Sequence, residues 1–176
     1  MKKLLLILVL FAGLSFAADK NAVGIWVQGG NADEWWGIDY KHLGSSAITD
    51  IYFRLVASNN NFSTGIYGGY YFLNNAIKAD DSMGKFPLYY GPTAGVGYWN
   101  NGEKANQDIG FALRAGLTGG ISWIFPTSLP MDVSIELNPV AECHIISGKK
   151  SGNKYSDTTW EIPALYFRLL FHMYLF

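Results

Sequence analysis

The chain has one cysteine, Cys143, so no disulfide can form within it, which excludes a small exported domain held together by disulfides. Charge is also scarce. Only 15% of the residues are Asp, Glu, Lys or Arg, 14 acidic against 13 basic, and no basic patch suggests a nucleic-acid partner. No long apolar run follows residue 17, which excludes a helical membrane span. Strand-helix-strand alternation is missing, so a parallel sheet has no support. No low-complexity linker divides the chain, and no Cys/His spacing points to a metal or other cofactor.

The N-terminus reads MKKLLLILVLFAGLSFA. Two lysines, a short apolar run, and Ser15 and Ala17 at signal-peptidase spacing predict a signal peptide over 1–17, cleaved after Ala17. The run is too short to serve as an anchor, and no cysteine near the cut would take a lipid. One domain over 18–176 is expected, with a slight acidic excess once Lys2 and Lys3 are removed.

Aromatics make up 16% of the residues and there are 20 glycines, a composition of strands and tight turns. In the stretch FALRAGLTGGISWIF, residues 111–125, alternate positions from Phe111 are Phe, Leu, Ala, Leu, Gly, Ile, Trp and Phe. Those between are Ala, Arg, Gly, Thr, Gly, Ser and Ile. A period of two is a strand signal. Eight such strands are predicted, over 22–29, 34–42, 47–57, 62–73, 86–99, 109–125, 131–145 and 161–176. Turn-forming clusters separate them: Gly29 to Asp33, Leu43 to Ser46, Ser58 to Asn61, Asn100 to Gly102 and Pro126 to Pro130. The polar segment Ser147 to Lys154 reads as a solvated loop, and residues 74–85 as a stretch with room for one helical turn. Such short connections require antiparallel neighbours.

The same two faces recur along the chain. Met131, Val133, Ile135, Leu137, Pro139, Ala141 and Cys143 oppose Asp132, Ser134, Glu136, Asn138 and Glu142. Ile51, Phe53 and Leu55 oppose Asp50, Tyr52 and Arg54, and Trp36, Ile38 and Tyr40 oppose Asp39 and Lys41. In the last strand, Leu165 to Leu175 alternate with Tyr166, Arg168, Leu170, His172, Tyr174 and Phe176.

A soluble barrel would turn the apolar face inward, whereas a membrane barrel turns it to lipid and puts the charges in the lumen. The second fits better. The polar faces are rich in Gly, Ser, Thr and isolated charges, and the apolar faces end in aromatics such as Trp123 and Phe125, or Trp35 and Trp36. The expected fold is all-β, an eight-stranded antiparallel up-and-down transmembrane β-barrel of the bacterial outer membrane.

The order KFPLYYGPTAGVGYW, then DIGFALRAGLTGGISWIFPTSLPMDVSIELNPVAE, then a polar loop and a final strand ending in Phe, resembles a family of small bacterial outer-membrane barrels. These are related in architecture to the OmpA, OmpX and OmpW type barrels. The resemblance covers residues 87–142 best and 161–176 in outline, and implies eight strands without implying a reaction. One departure concerns Phe176. Its alternates include His172 and Arg168, so either a bulge shifts the register near the end or Phe176 points inward.

The expected lumen charges are Asp39, Lys41, Asp50, Arg54, Arg114, Asp132, Glu136, Glu142 and Arg168, four basic and five acidic. They should pair, Arg114 with Glu136 first, to form an ionic plug in preference to a selective lining. An enzyme is not expected. His42, His144 and His172 are the candidate bases, but His144 and Ser147 would lie on opposite faces of a continuing strand, and His172 reads as lumen packing. The function expected first is structural or surface interaction through the loops 100–107 and 147–159. A narrow conduit for small or hydrophobic molecules and a soluble periplasmic ligand-binding barrel are the alternatives. Expected partners are outer-membrane lipid and lipopolysaccharide, with the barrel-assembly machinery during insertion, for a monomer.

Overall fold

A computed structural model describes residues 20–30, 35–57, 61–74, 83–103, 106–126, 131–150 and 153–175. Residues 1–17, the expected signal peptide, together with Phe176, the side chain of Trp35, and the turn residues 31–33, 58–60 and 127–130 lie outside the described residues, as does 75–82, most of the stretch expected to hold a helical turn.

Eight strands form a closed antiparallel ring in sequence order: β1 (Lys20–Gly30), β2 (Trp35–Leu43), β3 (Ala47–Ala57), β4 (Asn61–Asn74), β5 (Leu88–Glu103), β6 (Asn106–Ile124), β7 (Met131–Lys150) and β8 (Asn153–Leu175). Closure comes from β1 lying against β8, Gly24 opposite His172. Closing the ring removes the unpaired edges an open sheet would present. The alternation explains the strands: in β6, Phe111, Leu113, Ala115 and Leu117 are exposed while Ala112, Arg114, Thr118 and Ser122 are buried. In β8 every even position from Ala164 to Tyr174 is buried, and every odd position from Leu165 to Leu175 is exposed. Tyr40 keeps the parity of Trp36 and Ile38 yet is buried, its hydroxyl donating to Asn21 Oδ1 (2.7 Å).

One end of the ring, the terminal end, carries Lys20, Leu175 and the β2–β3, β4–β5 and β6–β7 connections. There Gly44 N donates to Ala47 O (2.9 Å) in the tightest turn. Gly84, at φ +89, follows Met83, and the Trp123 indole donates to Met83 O (2.9 Å). A side chain at Gly84 would strike Ile124 O, so this left-handed position is kept for glycine.

At the far end the strands outrun the expectation. The polar segment read as a loop is strand as far as Lys150 and again from Asn153, with Ser147 opposite Ser156 and Lys149 opposite Lys154. Asn101 and Gly102 likewise pair with Asp108 and Gln107. Polarity reports solvation, and a hairpin with water on both faces needs no apolar alternation to keep its backbone paired. In the β7–β8 pairing the register shifts between Val140 and Glu142, while the pairing of Asn21 to Gly30 with Leu175 to Tyr166 runs unbroken. Of the two alternatives for the chain end, a register shift is not seen there among the described residues and lies instead near the middle of β8, while Phe176 falls outside them. Past the shift Cys143, grouped by parity with the apolar face, is buried like its neighbour Glu142.

Candidate functional site

The inner face of the barrel is where charge collects. Asp39, Lys41, Asp50, Arg54, Arg114, Asp132, Glu136, Glu142 and Arg168 are all buried, between 0% and 9% exposed. They fall into three tiers along the barrel, each built on strand alternation that turns the polar side chains inward.

The tier nearest the far end is centred on Arg114 of β6, whose Nη2 donates to Glu142 Oε2 of β7 (3.0 Å). The two residues are opposite each other in the register. Tyr166 of β8 donates to the same carboxylate oxygen (2.5 Å), and its ring stacks 4.1 Å from the guanidinium carbon. Tyr67 of β4 covers the guanidinium as well, at 4.9 Å. Arg54 of β3 is buried between two glycine positions, Gly37 on β2 and Gly65 on β4.

In the middle tier, Arg168 Nη2 lies 2.6 Å from Glu136 Oε2 and donates to Asn138 Oδ1 at 2.9 Å. Tyr89 donates to Glu136 Oε1 (2.8 Å), and Thr118 to Asn138 Oδ1 (2.5 Å). Tyr52 lies against the guanidinium of Arg168, 3.7 Å from ring centre to Cζ, and shares a hydroxyl contact with Tyr71 (2.6 Å). Side chains of β3 through β8 thus meet across the lumen, and Trp26 of β1 packs edge-on against Tyr52.

The tier at the terminal end holds Lys41, Asp39, Asp50, Asp132 and His172. Lys41 Nζ reaches Asp132 Oδ2 (3.1 Å) and the hydroxyls of Ser122 and Ser134 (both 3.3 Å). Asp132 also accepts from Tyr174 (2.5 Å) and Ser134 (3.0 Å). His172 stands between two carboxylates, Nδ1 2.7 Å from Asp132 Oδ1 and Nε2 2.5 Å from Asp39 Oδ2.

The expected partnership of Arg114 with Glu136 is therefore corrected. Glu136 and Glu142 stand six positions apart on β7, roughly 20 Å at about 3.3 Å per residue. The β6–β7 register places Gly120 opposite Glu136 and Arg114 opposite Glu142. Glu136 instead finds Arg168 across β8. The tyrosines that fill the lumen, Tyr67, Tyr71 and Tyr89, were not foreseen there. For two of them the signal lies in the alternate positions Tyr67, Gly69 and Tyr71 of β4, where a small residue between two bulky ones leaves room for a ring. A Cβ at Gly69 would strike the Tyr71 ring.

The histidines do not form a nucleophilic triad among the described residues. His144 is half-buried, with Nε2 3.8 Å from Glu142 Oε1 and its ring edge-on to Trp99, while Ser147 is exposed. His42 contacts Asn21 (2.9 Å). Both nitrogens of His172 face carboxylates, so neither is turned to a serine hydroxyl. Comparison of the chain with protein-family models, with curated proteins and with solved structures gave no match.

Proposed function

We propose that the chain is an integral bacterial outer-membrane β-barrel with a lumen filled by its own side chains, serving a structural or surface-interaction role. The carrying observation is the arrangement of the exterior. Around the terminal end Tyr70, Phe72 and Tyr90 form one aromatic chain, with Phe86, Trp123 and Phe125 forming another. Towards the far end Phe62, Tyr98 and Phe111 are in contact in turn. Between the two levels, Ile66, Val96, Leu113, Leu117, Ile135, Leu137 and Leu169 are exposed. Phe62 and Phe72 are ten residues apart on β4, which at about 3.3 Å per residue and a tilt of about 40° spans roughly 25 Å. That is the height of the apolar band of an outer-membrane barrel, bounded by aromatic girdles at its two interfaces. In water the same surface would be an aggregation hazard.

The far end supports the surface-interaction half of the reading. From Leu165 back to Asn153, β8 pairs with β7 alone among the described residues, and 153–163 are exposed throughout. This overhang of the β7–β8 hairpin is a free edge suited to backbone pairing with another extended chain. An exported chain with this exterior meets lipid and lipopolysaccharide along its wall, as in the small barrels that residues 87–142 resemble.

The test is membrane extraction and gel mobility of the mature chain, followed by planar-bilayer recording. Retention after carbonate washing, faster migration without heating and no steady conductance are expected. Release into the soluble fraction overturns the membrane reading, and steady conductance steps overturn the filled lumen.

A further inference from the structure

We propose that Asp39, Asp50 and His172 form a binding site for one divalent transition-metal ion of the zinc class inside the barrel. One ligand atom from each residue lies within 4.8 Å of the others, and all three residues are buried. They come from three strands, β2, β3 and β8. Of these, β2 and β8 are kept apart by β1, where Gly24 stands opposite both Asp39 and His172. A Cβ at Gly24 would lie 2.5 Å from Asp39 Oδ1 and 2.6 Å from His172 Cδ2. Only glycine there lets the carboxylate and the imidazole converge across the intervening strand.

The observation that points to a ligand is the state of the carboxylates. Asp50 is 1% exposed, and among the described residues neither of its oxygens has a hydrogen-bond partner, nor does Asp39 Oδ1. A buried ionised carboxylate without a partner is strongly disfavoured, so it either takes up a proton or is met by a cation or metal. The other tiers set cation against carboxylate, Arg168 with Glu136 and Arg114 with Glu142. At the terminal end, Asp39, Asp50 and Asp132 share their tier with a single lysine, Lys41, and Lys41 is engaged by Asp132. Once the ion displaces the proton between Nε2 and Asp39, the imidazole is neutral and the tier is left with two negative charges, the complement of a divalent ion.

His172 is oriented for that ligand. Its Nδ1 faces Asp132 Oδ1, and Asp132 is fixed in turn by Tyr174, Ser134 and Lys41. Asp132 holds the Nδ1 proton, and an ion entering at Nε2 takes the place of the proton that Nε2 shares with Asp39 Oδ2 (2.5 Å). Carboxylate support of the non-ligating nitrogen is the usual outer arrangement of a metal-bound histidine. One imidazole and two carboxylates suit zinc or a neighbouring transition ion, whereas calcium and magnesium favour all-oxygen sets. The second grouping with metal-ligand geometry, Glu142, His144 and Glu161, lacks this logic because Glu142 already holds Arg114 and Tyr166 while Glu161 is exposed.

The site needs only the closed barrel and does not depend on membrane residence. The mature chain, folded in detergent and stripped with a chelator, is dialysed against zinc, cobalt or calcium, and bound metal is counted per folded chain. A single zinc ion per chain, an absorption band of nitrogen-bound cobalt, and indifference to calcium are expected. Asp50→Asn, checked for folding by circular dichroism, should weaken zinc binding on the order of tenfold or more. His144→Gln should leave it unchanged. Zinc should also raise the unfolding midpoint of the unsubstituted barrel, a readout that survives if the Asp50 variant does not fold. Absence of uptake by the unsubstituted chain overturns the site, as does equal binding by folded Asp50→Asn or loss of binding in His144→Gln.

Discussion

The ion pair of Arg114 with Glu142 offers a direct measure of what holds the lumen together. Both side chains are buried, and they meet at 3.0 Å. Replacing Arg114 with Met leaves Glu142 with the Tyr166 hydroxyl and the more distant His144 ring (3.8 Å) but no guanidinium, and a buried charge stripped of its partner costs about 3–5 kcal/mol. Replacing Glu142 with Leu removes the carboxylate that neutralises the guanidinium and also strips Tyr166 of its acceptor, which adds about 1–3 kcal/mol. The stacking of Arg114 on Tyr166 and Tyr67 offsets about 1–2 kcal/mol of that, so either single variant should lose about 4 kcal/mol. The double variant has no charge left unmatched. It should lose only about 1–3 kcal/mol, the cost of the stranded Tyr166 hydroxyl. Urea unfolding of the barrel in lipid vesicles, followed by tryptophan fluorescence, reads all four states. If the two single losses sum to the double within about 0.5 kcal/mol, the residues are not a pair and the reasoning fails. A parallel cycle of Arg114→Met with Glu136→Leu should be additive within that margin, because Glu136 is engaged by Arg168 and Tyr89 in another tier.

Leu117→Arg, on an outward position 61% exposed in the middle of β6, should cost about 2–4 kcal/mol or block insertion into vesicles; Thr118→Ala on the inner face should cost about 1 kcal/mol through its bond to Asn138. The opposite ranking would mean the barrel is inside out. Gly24→Val should cost about 1–3 kcal/mol in the same urea assay, because its side chain would collide with Asp39 and His172. Tyr89→Phe, which leaves Glu136 Oε1 without its donor, should cost about 1–3 kcal/mol, whereas Tyr90→Phe on the outer face should stay within about 0.5 kcal/mol. Equal losses for the two tyrosines would show that Tyr89 does not point into the lumen.

The strand pattern was legible because alternation is local: each residue of β6 or β8 declares its face by its neighbours two positions away. Register was not. Whether Arg114 meets Glu136 or Glu142 depends on where the β6–β7 turn folds, and a short proline-flanked turn admits more than one pairing. Tyrosine was ambiguous for another reason. An apolar ring with a polar tip suits either face, so Tyr67, Tyr71 and Tyr89 carry no decisive hydropathy signal, while Tyr70 and Tyr90 beside them point outward. The meeting of Asp39 with His172 lay furthest from view. They are 133 positions apart and join across a third strand, so only ring closure and the missing side chain of Gly24 bring them together.

The three tiers divide the work of the interior. The far-end and middle tiers set arginine against carboxylate and cover the guanidinium groups with tyrosine rings, so those pairs hold the wall together without needing anything from outside. The terminal-end tier breaks that rule. It concentrates carboxylates around one lysine and one histidine, and it does so within about one turn-length of the β2–β3 connection and the end of β8. Acidic groups predominate at that end, where Asp39, Asp50 and Asp132 share one lysine, whereas the far-end tier sets Arg54 and Arg114 beside Glu142. Opposite ends of one filled barrel therefore differ in what they attract, and the difference follows from which inward positions of β2, β3 and β8 carry acids. Wall and site are separable in consequence: Asp50→Asn bears on the ion, while Arg114 and Glu142 bear on the fold.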